Sequence, residues 1–500
     1  MSARSRQAPA PGRPRVVVLG GGVAGIAAAL DCAAAGARVT LLEVRPRLGG
    51  AAYSFERAGL WLDNGQHVFL RCYSAYRSLL ARLGSEAMVE IQSRLEIPVL
   101  CPAGERALLA RSGLPAPFHL IGALARYRLL TPVQRLRAAR AAFALSRIDM
   151  DAAVVRERAE GVSFGQWLSE HGQDERALAL LWDLIALPAL NVPAMRGSLS
   201  LGAFTLREGL LSSNDAGDIG FHLRPFSETI AAPAARTLAA AGVDVRLGTR
   251  VQAVHRMGPG EGERPGADGV GAGAARGRLL VSAADGELGA DAVICAVPHA
   301  RAADLLEPLL GAAEAGRWRR LGGSPIVNVH VVYDRRVCDL PFAAGVETPV
   351  QYVFDRTAAV GLKEGQCLAI SLSGAREEMQ LDGEALRARY IDALAHLFPS
   401  ARGAVVRAAH ISREHAATFE ATPGVDSLRP STRTGVEGLF LAGAWTRTGW
   451  PATLEGAVRS AHAAARAALE RSGATPESTP GSTRGGTPSG GGSRLQDGGR

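Results

Sequence analysis

A chain of 500 residues is too long for one simple core, so two or more domains are expected; a hydrophobic share of 47% and a charged share of 21% suit an ordinary globular protein. The formal charge of +8 is almost all arginine, because Lys363 is the only lysine, and it reads either as solvated surface or as attraction to anionic lipid. Zinc-finger spacing, aromatic RNA-binding motifs and basic blocks are missing, which argues against a nucleic-acid partner, and a single lysine in a loop-like stretch argues against Schiff-base catalysis.

Residues 1–14 are polar, with Pro and Arg, and are expected to be disordered. Arg15–Leu19 is a short β-branched run and reads as a buried strand. Val23–Ala35 reads as a helix closed by Gly36, and Val39–Glu43 as a second strand, giving a strand–helix–strand unit of about thirty residues. The apolar stretch Val16–Leu30 is interrupted by glycines and is too short to span a bilayer, so it is not read as a signal peptide or an anchor. Residues 80–220 are mostly helical in pattern. Ser163-Phe-Gly-Gln166 predicts a capping box, and Thr131-Pro132 an N-cap followed by proline at the first helical position. The segment Val133–Leu145 is basic and amphipathic, setting Arg135, Arg137 and Arg140 beside Val133, Leu136 and Phe143; it either lies on a membrane surface or packs on its own domain.

Farther along, Val243–Val254 alternates like a strand, 257–277 is a glycine-rich loop, and Arg278–Ala283, Ala292–Val297 and Ile326–Tyr333 read as strands. Val436–Ala442 is a late strand and Leu454–Leu469 a closing helix. Residues 471–500 hold almost nothing apolar and are expected to form a disordered tail. Six scattered cysteines show no zinc or redox spacing, so no metal site is expected, and buried thiols of a reducing cytoplasm are the simplest reading.

Gly20, Gly22 and Gly25 form G-x-G-x-x-G between the first strand and the first helix. The first glycine permits the tight turn, the second lets backbone approach a pyrophosphate, and the third allows close helix–strand packing. The helix N-terminus offers free N–H groups to an anion. Glu43 ends the second strand at the distance of a ribose-hydroxyl acceptor. FAD and NAD share this arrangement, and Arg47-Leu-Gly49-Gly50 separates them: the glycine pair lets more backbone wrap a cofactor, and Arg47 can pair with phosphate. Near the C-terminus, Gly438–Thr446 and Thr453–Arg459 supply another glycine turn leading into a helix.

With these motifs the chain resembles the FAD-dependent amine oxidase and carotenoid desaturase superfamily, and within it the hydroxysqualene dehydroxylase family. The resemblance runs from about residue 15 to 470. It rests on Gly20–Gly25, Arg47–Gly50, the run Asp63-Asn-Gly-Gln-His67-Val-Phe-Leu-Arg71-Cys-Tyr, Ala186-Leu-Pro-Ala-Leu-Asn191, Ser324-Pro-Ile-Val-Asn-Val-His330 and Gly449-Trp-Pro-Ala-Thr-Leu-Glu-Gly456-Ala-Val-Arg459-Ser.

It implies an α/β fold: a discontinuous Rossmann-like FAD-binding domain of the amine-oxidase type with an inserted α+β substrate domain. The FAD-binding parts are expected at 15–79, 221–305 and 435–470, a helical cap at 80–220, and a substrate domain at 306–434. FAD is held non-covalently. By position, Gly20, Gly22 and Gly25 hold the pyrophosphate, Glu43 the ribose and Arg47 a phosphate. Gly65, Gln66 and His67 lie near the flavin ring, Val251 meets the adenine through its backbone, and Gly443, Ala444, Trp445 and Thr453 lie toward the flavin end.

The family usually carries Gly-Asp where this chain has Gly443-Ala444, and a lost hydrogen bond there costs about 1–3 kcal/mol. Many amine-oxidising members carry a lysine near the flavin, whereas this chain has Pro325-Ile326-Val327, which points to the lipid-handling branch.

The reaction implied is reductive dehydroxylation of hydroxysqualene to squalene: an acid protonates the hydroxyl, an allylic cation forms, and reduced flavin gives hydride. Implied partners are an isoprenoid lipid, an electron donor for the flavin and squalene-synthase-like enzymes. The implied location is cytoplasmic, either free or peripheral on the inner face of the cell membrane. A carotenoid-type desaturase and a non-catalytic flavin- or lipid-binding protein are the alternatives.

His67, with Gln66, is the candidate catalytic group, either as proton donor or as orienter of its loop. His222 and Arg224 are either active-site or structural groups. His330 is expected to be a hydrogen-bonded sheet histidine, and Trp182, Leu184, Leu187 and Leu190 form either core or the substrate tunnel.

Overall fold

Strands from three distant stretches of chain build the sheet that carries the glycine turn. The computed structural model describes residues 13–148, 161–257 and 279–471. The expected disorder of 1–14, the loop at 257–277 and the tail at 471–500 lie outside these residues, apart from Arg13, Pro14, Met257 and Arg471 at their edges.

Arg15–Leu19 runs parallel to Arg38–Leu42 on one side and to Ala292–Cys295 on the other. Asp244–Arg246 and Leu439–Leu441 complete a five-stranded sheet, again in parallel. Its central strands are nearly all apolar, as a sheet covered on both faces requires. One face is covered by Val23–Ala34 and the closing helix Leu454–Arg471, whose alanines interlock around Ala28, Ala29, Ala461 and Ala464. Glu455, fully buried at the start of that last helix, accepts hydrogen bonds from the backbone N–H groups of Ala75 and Tyr76. It thereby caps the helix Ser74–Leu83 and ties the two ends of the chain together.

A second, seven-stranded sheet stands apart. Its order is Val406–Thr418, Ser324–Tyr333, Gln366–Ser373, Tyr352–Asp355, Phe342–Gly345, Glu96–Leu100 and Arg106–Ala110. The last two strands correct the expectation of a mostly helical 80–220. Glu96–Leu100 and Arg106–Ala110 form an antiparallel hairpin that extends this sheet through Phe342–Gly345, and Val89–Ile91 and Ile219–His222 pair elsewhere. Arg106-Ala-Leu-Leu-Ala contains helix formers, but pairing with a sheet edge overrides such weak preferences. Val243–Val254 is likewise not one strand: a turn at Gly248, with φ of 68°, separates Asp244–Arg246 from Val251–Arg256.

The caps divide differently from expectation. Thr131 and Gln134 make the full reciprocal box, whereas Ser163 accepts from the Gln166 N–H and the Gln166 side chain turns to Glu170 instead. The helix Pro132–Ser146 rests on the protein through Ala138, Ala141 and Leu145 and leaves Val133, Leu136 and Phe143 exposed. His330 is a buried sheet residue as expected, yet neither ring nitrogen has a hydrogen-bond partner among the described residues, and burial pushes its pKa down to about 3. The six cysteines are free, five of them buried.

Candidate active site

The glycine turn and the Arg47–Gly50 loop close on each other through backbone alone. The Gly49 N–H donates to the Gly21 carbonyl at 2.9 Å, and a Cβ on Gly50 would stand 2.7 Å from the Gly22 Cα. At Gly25 a Cβ would fall 1.8 Å from the Gly20 carbonyl oxygen, so the helix packs on the turn only without a side chain there. The helix Val23–Ala34 starts at Gly22 with no side-chain cap, leaving its first-turn N–H groups facing the cleft. Glu43 is buried; its carboxylate accepts from the N–H groups of Gly21 at 2.6 Å and Arg45 at 2.8 Å.

Beside it, the Thr249 N–H donates to the Glu43 carbonyl, and Arg301 donates to the Val251 carbonyl at 2.9 Å. From the far end of the chain, the Gly443 N–H donates to Ser460 at 2.7 Å, and the Trp445 indole donates to the Val297 carbonyl at 3.0 Å. Thr453 accepts from the Gly456 N–H and so caps the closing helix.

These elements wall one cavity of about 1040 Å³. Gly20, Gly22, Glu43, Gly49, Gly50, Gly65, Gln66, His67, Val251, Gly443, Ala444, Trp445 and Thr453 line it, which brings together nearly every residue singled out from the sequence. Gly25 and Arg47 do not line it. Gly25 acts from behind the turn, and the Arg47 guanidinium lies over the Tyr53 ring, 3.7 Å from its centroid, with Nη1 3.4 Å from the Gly50 carbonyl.

The same cavity continues into an apolar lobe. Trp182, Leu184 and Ile185 enter from one helix, Leu206, Leu210 and Leu211 from another, and Leu120, Leu124 and Ala142 from the cap. Turns of π-helix at Leu178–Trp182 and Arg207–Leu211 adjoin the first two groups. Trp182 and Leu184 are thus both buried and cavity-lining, while Leu187 and Leu190 are outside the wall.

The loop between the two lobes is fixed from beneath. Asp63 is buried, pairs with Arg356 at 2.9 Å, and accepts from the Ser54 hydroxyl and the Phe226 N–H. Asn64 donates to the Ala51 carbonyl and to Glu414, while its own carbonyl receives Asn328 and Ser412. His67 lies on this loop with its ring edge toward Phe226, centroids 5.1 Å apart. Burial pushes its pKa down to about 4, so the neutral imidazole is the form present at pH 7, suited to hydrogen bonding more than to acting as a standing acid.

His222 lies outside the cavity, held by Tyr76 and Thr229 at 3.1 Å each, and Arg224 is exposed. Asn191, with φ of 58°, joins the helix Asp183–Leu190 to two strands through Ser324 and Thr418 and to Gly374 at the end of a third.

Two features fit a dinucleotide. The cradle is built from glycines whose Cβ atoms would fill or distort it, and the Gln66 Nε2 atom is buried without a partner among the described residues. Glu414 and Asn64 are cavity-wall residues that sequence reasoning did not single out. Asn64 sits inside the Asp63–Tyr73 run; Glu414 has no local signal, because only the pairing of its strand with Ser324–Tyr333, opposite Ile326, brings it there.

A family model described as flavin containing amine oxidoreductase matches residues 23–469. The chain belongs to the flavin-containing amine oxidoreductase family. As a member of this family it is a flavin-dependent oxidoreductase. It is 30% identical over 474 residues to hydroxysqualene dehydroxylase of Rhodopseudomonas palustris, covering 90% of this chain and 97% of that one. It is 25% identical over 497 residues to the zeta-carotene desaturase of Zea mays, covering 89% and 82%. Among solved structures, putrescine oxidase superposes with a TM-score of 0.66 at 20% identity, covering 92% of this chain and 99% of that one; this likeness shows the fold. In the family chain described here, Ile326 stands in the cavity wall and the lone Lys363 does not. Among the described residues no helix is long and apolar enough to cross a membrane.

Proposed function

We propose that this chain binds FAD non-covalently and removes the hydroxyl of hydroxysqualene reductively to give squalene. The observation that carries the reading is the continuity of the cavity: a backbone-lined cradle opens directly into a lobe walled by Trp182, Leu184, Leu206 and Leu210. When bound and reduced by a separate electron donor, FAD would supply the hydride, and the hydroxyl would take up a proton and leave as water. The chain's own residues supply position and dryness. Gly20, Gly22, Gly49 and Gly50 hold the diphosphate against backbone amides, and Glu43 holds the adenosine ribose. Gln66 would offer its unpartnered amide to the bound flavin, and Trp445 and Thr453 would help hold it from the cavity wall. The apolar lobe positions the reacting carbon and excludes water that would capture a cation. The similarity to hydroxysqualene dehydroxylase supports this substrate over the polyene of a desaturase.

The same reading accounts for the cap's outer surface. Phe118, Ile121, Val133, Leu136 and Phe143 are exposed on the segment whose inner side lines the cavity through Leu120, Leu124 and Ala142, with the exposed Arg137 and Arg140 among them. We take this as the face that meets the lipid surface from which a water-insoluble substrate enters. The electron donor is a separate partner, and squalene-synthase-like enzymes supply the substrate.

The test is anaerobic incubation of the FAD-loaded, chemically reduced protein with hydroxysqualene, followed by lipid analysis. Squalene as product supports the reading. Recovery of unchanged hydroxysqualene, with a carotenoid precursor desaturated by the oxidised protein, replaces it with the desaturase reading. Protein that stays colourless after addition of FAD would replace both with a binding role.

A further inference from the structure

Among the described residues that line the cavity, the carboxylates are Glu43 and Glu414. Glu43 is committed to the dinucleotide cradle, both oxygens accepting backbone N–H groups. Glu414 is placed differently. It stands on the edge strand Val406–Thr418, whose continuation, Ala416 to Phe419, forms cavity wall. Its Oε1 accepts from Asn64 Nδ2 at 3.0 Å, and the Tyr53 phenol lies near enough to feel its charge. Both neighbours are neutral and both are fixed. Asn64 is pinned by Tyr53, Ala51, Asn328 and Ser412, and Tyr53 is pinned under the Arg47 guanidinium.

The charged and titratable groups facing Glu414 are Arg47 and Tyr53 from the segment after the second strand, and His67 from the loop, with Arg45 over the Tyr53 ring. Arg47 is turned to the Tyr53 ring and the Gly50 carbonyl, and His67 is neutral at pH 7. Arg413, the neighbour on its own strand, points away to the Leu381 carbonyl. The carboxylate is therefore oriented by a neutral hydrogen bond from Asn64, beside the loop that joins the polar cradle to the apolar lobe.

We propose that Glu414 is the counter-ion for positive charge that develops on the lipid carbon during the reaction, and that the junction of the two lobes is consequently a binding site for lipophilic cations. This rests on the reading that the apolar lobe takes an isoprenoid beside the flavin. A fixed carboxylate in a water-poor cleft attracts a cation far more strongly than in bulk water and needs no reorganisation when the charge appears. The role is the same whether the cation arises by loss of a hydroxyl or by loss of hydride, so it does not depend on the direction of the chemistry.

The experiment uses the FAD-loaded protein and two probes: a squalene-length quaternary ammonium, whose charge does not change with pH, and the neutral hydrocarbon of the same shape. Affinities are measured by calorimetry with the wild type, Glu414→Gln and Glu414→Asp. The wild type is expected to prefer the ammonium by roughly tenfold or more. Glu414→Gln should lose that preference while binding the hydrocarbon and retaining FAD as before, and Glu414→Asp should keep part of it. An unchanged preference in Glu414→Gln, with its FAD content intact, overturns the proposal and leaves the isoprenoid reading standing. Failure of the wild type to bind either lipid removes the isoprenoid reading and the proposal together. Should Glu414→Gln not fold, a reduced preference in Glu414→Asp supports the proposal, and full retention of the wild-type preference there overturns it.

Discussion

The two lobes of the cavity are made of different material. The cradle is backbone: Gly20–Gly22 and Gly49–Gly50 lie against one another, and the Gly443 turn joins them from the other end of the chain. The apolar lobe is side chain: Trp182, Leu184, Leu206 and their neighbours meet across helices that are distant in sequence. Recognition by backbone requires particular residues at particular spacings, because only glycine leaves the space. Recognition by apolar surface requires only that some large hydrophobic side chain be present, and many sequences satisfy that. The first lobe should therefore fail at single atoms and the second only when its volume changes.

The largest effect is expected at Gly25. Gly25→Ala would place a methyl carbon 1.8 Å from the Gly20 carbonyl oxygen, a clash relieved only by moving the helix or the turn. The variant should lose bound flavin, read from visible absorbance per chain, and melt earlier, by about 3 kcal/mol or more. A fully yellow Gly25→Ala protein of unchanged Tm would break the comparison. In the other lobe, Ala142→Trp fills cavity volume without touching the cradle. It should keep its flavin while lipid turnover falls roughly 100-fold, about 2.7 kcal/mol; loss of flavin as well would mean that the lobes are not separable.

Acid should weaken the packing beneath the junction next. His67 and His222 both lie against Phe226, with pKa values pushed down by burial to about 4 and about 3. Each lies below the unfolded value of about 6.5, so the unfolded chain binds protons first as pH falls. The stability tied to the neutral rings is complete above 6.5 and is lost toward the folded values, up to roughly 2 kcal/mol per histidine between pH 7 and pH 5. The urea midpoint should drop over that interval and drop less in His222→Gln; equal slopes would contradict the burial argument.

The smallest effect is at Ala444. Family members of this type carry an aspartate there, by the resemblance that the motifs carry, and Ala444→Asp should tighten FAD about tenfold, close to 1.4 kcal/mol. Titration of the apoprotein with FAD measures this, and weaker binding would show that the cradle is already complete without it.

The same contrast governs what was legible beforehand. Gly20, Gly22, Glu43, Gly49, Gly50 and Gly443 were readable because each answers to a local demand of turn geometry or strand end, and all line one cavity. Trp182 and Leu184 were readable only as core or tunnel, since apolar helix faces look alike until a partner is present. The hairpin of Glu96–Leu100 and Arg106–Ala110 was hidden because its pairing partner, Phe342–Gly345, lies more than two hundred residues away. Glu414 was hidden for a similar reason: its partners Asn64 and Tyr53 come from the opposite end of the sequence. His330 was misjudged in its hydrogen bonding because strand periodicity predicts burial and is silent about partners.

A single-turnover experiment tests most directly whether one cavity holds both cofactor and lipid. The FAD-loaded protein is reduced without oxygen and mixed with hydroxysqualene while the 450 nm band is followed and the lipid is quenched at matching times. The account predicts that the band returns at the rate at which squalene appears, one molecule per flavin, and that Ala142→Trp loses both signals while keeping its flavin. Return of the band without squalene, or a reduced flavin indifferent to the lipid, would contradict it.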